Sequence, residues 1–145
     1  ATPVATPRAA SRLTLAPGPF VAAALAGLVA SGRLGRRDPI ARHLAGIEAF
    51  RPGDGAPLTV ADLDAHAHDV DRFLATQLIE SVTGQSLATH LAQAVLGPLG
   101  MREARIVGSP CIRAVECSAE DARRWRRSGL QRPSIDRDIV RKAVG

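Results

Sequence analysis

The chain has no tyrosine, and its 145 residues include only one tryptophan and three phenylalanines. Of its 19 basic residues, Lys142 is the lone lysine and the others are arginines. These gaps exclude mechanisms. A tyrosine acid or base is unavailable, and so is a lysine base anywhere in the body of the chain. Cysteine is also scarce, with Cys111 and Cys117 as the two examples. Their spacing fits no metal-ligand pattern, and two cysteines make no disulfide framework. A bridge closing the short loop between them is geometrically possible; the other reading is two reduced thiols of a cytosolic protein. Glycine-rich phosphate loops are missing as well.

With so few aromatics, the core must come from Ala, Leu, Val and Ile. A chain of this length is one domain and buries roughly two-thirds of its unfolded surface. Alanine occupies 26 positions, which favours closely packed helices. Small side chains bury modest areas, each Å² being worth about 25 cal/mol. Limited burial makes a homo-oligomer plausible. The net charge of +5 is uneven. Residues 1–101 carry eight arginines and eight acids, so the excess belongs to residues 102–145.

Residues 1–19 hold four prolines and no periodicity, and read as an extended or disordered arm. Residues 20–145 then form one mainly helical domain with at most one or two short strands. Helices are expected over 20–31, 39–44, from Thr59 to Val82 as one helix or a pair, over 87–96, from Ser118 and over 133–144. Thr59 with Asp62, and Ser118 with Asp121, have capping-box spacing. Gly97-Pro98 reads as a helix stop, and residues 105–107 as a short strand. The uncharged stretch 13–32 is broken by Pro17 and Pro19. Its clean helical part is too short to cross a bilayer, which takes about 20 apolar residues. With Arg8 and Arg12 before it, the stretch also has the outline of a signal peptide, which would make the protein secreted.

Five segments in order resemble one family. They are residues 20–40 (FVAAALAGLVASGRLGRRDPI), 58–66 (LTVADLDAH), 78–87 (LIESVTGQSL), 98–101 (PLGM) and 117–125 (CSAEDARRW). Together they are similar to the serine β-lactamase, penicillin-binding protein and esterase family, in its class C-like branch. The first resembles the helix after the nucleophile, and the fourth matches the family's P-L-G-M. The resemblance implies the helical part of that fold without most of its sheet. It implies no cofactor, and a hydrolytic ancestry of the β-lactamase or esterase class.

The same resemblance implies lost chemistry. The family's Ser-x-x-Lys places a lysine where it can deprotonate the serine, at a helix N-terminus that favours the developing anion. Here Leu15 and Gly18 stand at those two positions. Its Tyr-x-Asn falls on Ala67 and Asp69. Its Lys/His-x-Gly strand has no match, and Lys142 to Gly145 has the wrong spacing. Removing members of such a set costs many powers of ten in rate.

Two readings from other classes compete. Arg123, Arg124, Trp125, Arg126 and Arg127 place an aromatic among arginines, a pattern that binds nucleic acid or an acidic partner by stacking and phosphate contacts. Against this, Trp125 stands where the family carries a core phenylalanine. Residues 62–71 (DLDAHAHDVD) could make a metal-dependent hydrolase through His66 and His68. The alternative there is a solvated helix face, with His66 as a structural hydrogen-bonding residue. His43 and His90 read as surface or half-buried residues, and Asp54 as part of a Gly-Asp-Gly turn.

Overall fold

Helix α1 (Gly18–Ala30) runs through the middle of the molecule and is apolar on nearly every side. Pro19 lies in its first turn, where a missing N–H costs nothing. Phe20, Val21, Ala24, Leu25 and Leu28 form its most buried stripe. The chain leaves α1 through Gly32, whose φ of 83° suits glycine. The structure, a computed structural model, describes residues 12–44, 55–66, 68–108 and 112–130. The expectations for residues 1–11 and 133–144, and those at Asp54, Ala67, Cys111 and Lys142, lie outside the described residues.

Helix α2 (Asp69–Thr83) packs along α1 through Leu74, Ala75, Leu78 and Ile79. Asp69 and Asp71 in its first turn favour the positive end of its dipole. The sequence left one helix or two between Thr59 and Val82. The structure has a 3₁₀ turn at Val60–Asp62, then a break, then α2. The Thr59–Asp62 pairing forms, with the Thr59 backbone N–H and hydroxyl both donating to the Asp62 carboxylate at 2.9 Å. The expected helix over 39–44 is likewise a single 3₁₀ turn, Ile40–Arg42.

Helix α3 (Leu87–Leu91) is capped by Ser86, whose Oγ accepts from the Thr89 N–H. Gly97-Pro98 does not end this helical run. A π turn, Ala92–Leu96, leads into a last helical turn α4 (Gly97–Leu99). In the π register the Gly97 N–H donates to the Ala92 carbonyl, five residues back. A Cβ on Gly97 would lie 2.8 Å from that oxygen, so glycine suits the wide turn. The proline then falls in the first turn of α4, where it is tolerated. Gly100, with φ of 75°, makes the actual stop.

Three short strands form an antiparallel sheet in the order β1 (Leu13–Leu15), β3 (Ala114–Cys117), β2 (Arg105–Val107). The mainly helical reading holds, and β2 lies where residues 105–107 were expected to be a strand. The sheet is one strand larger than the sequence suggested, because β1 lies in the proline-bearing stretch 1–19. Across β3, Leu15 pairs with Val115 and Ile106 pairs with the same residue from the other side. Val115 and Cys117 face the core, and Glu116 faces outward between Arg12 and Arg105.

Helix α5 (Ala119–Ser128) is capped by Ser118, which accepts the Asp121 N–H at 3.1 Å. The buried Asp121 carboxylate accepts the Glu103 N–H at 2.9 Å. It thereby fastens the turn before β2 to the start of α5. Trp125, 5% exposed, lies against Phe20 of α1 with ring centroids 4.0 Å apart and planes 14° apart.

The turn after α1 is held by one carboxylate. Asp38 accepts from the Gly35 N–H, from Arg42 and from the His43 ring at 2.9 to 3.0 Å. The His43 hydrogen bond foremost, then the Gly35 N–H and the Arg42 charge, hold Asp38 below its ordinary value of 3.8. A group with a depressed folded pKa stabilises the fold above its unfolded value, and that contribution disappears as pH falls through the folded pKa. Asp38→Asn is therefore expected to be less stable than the parent at neutral pH, with the gap closing below pH 3.8. Denaturant midpoints measured across that range check it; a gap independent of pH would contradict it.

Candidate functional site

Where β1 turns into α1, residues 16–18 border a cleft of about 630 Å³. The opposite wall is one face of α2. Asp69, Arg72, Phe73 and Thr76 follow at helical spacings of three, four and seven, which puts all four on the face of α2 that lines the cleft. His66, from the turn before α2, and Ile112 and Arg113, leading into β3, complete it. This size lies within the range of small-molecule sites.

Arg72 donates to the Asp69 carboxylate at 2.7 Å, with the arginine side chain 15% exposed and the aspartate 96% exposed. The guanidinium is thus embedded and the carboxylate stands at the mouth. Thr76 is buried beneath them, its hydroxyl donating to the Arg72 carbonyl. Phe73 is one of three exposed large apolar side chains among the described residues. The His66 Nε2 is buried and has no hydrogen-bond partner, so the hydrogen-bonding role the family resemblance implied for this ring is not made through that atom.

Two of the four positions assigned to the lost catalytic motifs, Gly18 and Asp69, do come to this cleft. Leu15 does not line it; it is half-buried in β1. At Gly18 the packing is tight. A Cβ there would lie 2.6 Å from the Ala65 carbonyl oxygen and 3.0 Å from the His66 Cα. Arg72, Thr76 and Arg113 were not singled out from the sequence; Phe73, whose spacing with Leu74, Leu78, Ile79 and Val82 reads as one buried face, is exposed instead. Stepping from Asp69 by helical spacing would have found Arg72 and Thr76. Arg113 reaches the cleft by chain folding alone.

Among the described residues, no three of His, Cys, Asp and Glu stand together in a way that could hold a metal ion. His66 is in the cleft wall, His68 precedes α2, and Asp71 accepts the Asp64 N–H at 2.9 Å. In the arginine cluster, Arg123, Arg124, Arg126 and Arg127 are exposed while Trp125 is in the core. Arg124 is engaged with Glu120, Asp121 and the Gly100 carbonyl. Among the described residues no helix is long and apolar enough to cross a membrane.

No protein-family model and no curated protein matches the chain. Solved structures do. A D-stereospecific amidohydrolase from Streptomyces sp. superposes with a TM-score of 0.62 at 16% identity, covering 81% of this chain and 60% of its own. A β-lactamase/D-alanine carboxypeptidase from Yersinia pestis gives 0.64 at 11% identity, with coverage of 79% and 52%. A penicillin-binding protein from Bacillus halodurans gives 0.62 at 16%, with coverage of 79% and 59%. The fold is therefore that of part of the serine β-lactamase and penicillin-binding protein group. The chain spans between half and three-fifths of the length of these three structures. The five ordered segments and the backbone point to the same group.

Proposed function

We propose that this chain is a degenerate relative of the serine β-lactamase-like hydrolases, in which serine–lysine chemistry is lost and the cleft is kept for binding. The observation that carries this reading is Gly18. It stands at the lysine position of the resemblance, and the backbone of residues 65–66 fills the space where a side chain would begin. A lysine base cannot be supplied from there without displacing main chain. The serine position is Leu15, and with no tyrosine in the chain the second motif has no phenol. Each missing group would normally move a proton to or from the reacting serine.

The cleft itself is open and carries convergent polar groups, which supports a binding role. The basic-module reading is weaker because Trp125 would have to leave its stack with Phe20 to meet a base. The test is turnover. Purified protein is expected to hydrolyse a chromogenic cephalosporin and a p-nitrophenyl ester no faster than a heat-denatured control. Hydrolysis that is abolished by a serine-directed phosphonate would overturn the proposal.

A further inference from the structure

We infer that the cleft binds a small carboxylate with an apolar body, held by Arg72 and Arg113 against Phe73. The inference rests on the binding role proposed above and names its ligand class. Its first support is charge. Two arginines and one aspartate are among the residues that line the cleft, an excess of one positive charge before His66 is counted. Its second is the state of Arg72. The side chain is mostly buried, and one of its nitrogens is engaged with Asp69. A guanidinium has five N–H donors in a rigid fork that matches a carboxylate. Arg72 is thus positioned, charged and incompletely used. A third support is shape. Phe73 stands exposed in the same wall as Arg72, one residue along α2, so an apolar body and its charged end find partners side by side.

Asp69 is the internal competitor. Its carboxylate already occupies one Arg72 nitrogen, at 2.7 Å. The ligand must therefore displace Asp69 or share the guanidinium with it. That gives the proposal a signature which mere apolar trapping lacks: removing the competitor should strengthen binding.

The probe pair is phenylacetate and its neutral twin phenylacetamide, followed by ligand-observed NMR up to about 10 mM, where affinities near the millimolar level are measurable. Phenylacetate is expected to bind saturably, and the amide about tenfold more weakly, since the charge-assisted bonds are lost. Arg72→Met keeps the aliphatic stem and is expected to lower phenylacetate affinity by about tenfold, with Arg113→Gln lowering it by a few-fold. Asp69→Asn is expected to raise it by a few-fold. Arg105→Gln, on the sheet surface, serves as the control. Thermal melting verifies that each variant is folded, and a misfolded Arg72→Met leaves the amide comparison and Asp69→Asn to decide. Equal binding of acid and amide, no saturable binding by the parent, or weaker binding by Asp69→Asn would each overturn the inference. Turnover of the chromogenic substrates would overturn the loss of chemistry while leaving this site standing, so the two failures are distinguishable.

Discussion

Gly18→Ala is expected to destabilise the protein by about 1–3 kcal/mol, the usual cost of forcing a methyl into filled space. The sign makes this prediction sharp. In a first helical turn open to solvent, alanine in place of glycine stabilises by about 0.4–1 kcal/mol, because it restricts the unfolded chain. Here the new Cβ would sit 2.6 Å from a backbone oxygen and 3.0 Å from a backbone Cα. Neither can rotate aside as a side chain could. The turn at residues 65–66 must move away from α1, which disturbs the buried Ala65 and the cleft wall at His66. Urea unfolding of the two proteins measures the difference. A stabilised Gly18→Ala variant would mean that the 65–66 backbone yields freely, and the main support for lost lysine chemistry would go with it. The double variant Leu15→Ser/Gly18→Lys should for the same reason be unstable rather than active.

Much of this arrangement was legible in the sequence, and what was missed has physical causes. The caps at Thr59 and Ser118 are local chemistry, written in three or four residues, and the structure forms both. Strand β2 was placed correctly at 105–107. Strand β1 was missed because pairing with β3 is a long-range event that a three-residue strand in a proline-bearing stretch does not announce. The Gly97-Pro98 stop failed because a π turn over Ala92–Leu96 sets the proline in the first turn of the next helical segment, and nothing in the local composition signals that register. At the site, the motif comparison found Gly18 and Asp69 but could not show what faced them. The closeness of residues 65–66 to Gly18, and the arrival of Arg113 opposite α2, are properties of the packed chain.

Trp125→Ala is expected to cost about 3–5 kcal/mol, the range for deleting a buried large aromatic. In a chain with four aromatics, that is a large part of a typical domain stability of about 5–15 kcal/mol. The indole is 5% exposed and stacked on Phe20, so its loss leaves a cavity between α5 and α1 and removes a ring pair worth about 0.5–1.5 kcal/mol beyond its area. Trp125→Phe should recover much of the loss, since a smaller ring can still meet Phe20. The neighbouring arginines should behave differently. Arg123, Arg126 and Arg127 are exposed on the outer face of α5, and replacing all three by glutamine should change stability by no more than a few tenths of a kcal/mol each. Denaturant unfolding of the three variants separates the two faces of α5. If Trp125→Ala were nearly neutral while the triple arginine variant abolished salt-sensitive oligonucleotide binding, the tryptophan would belong to a basic interface. The 4.0 Å stack on Phe20 argues for the opposite outcome, because a ring fixed between two helices has no free face to offer a base.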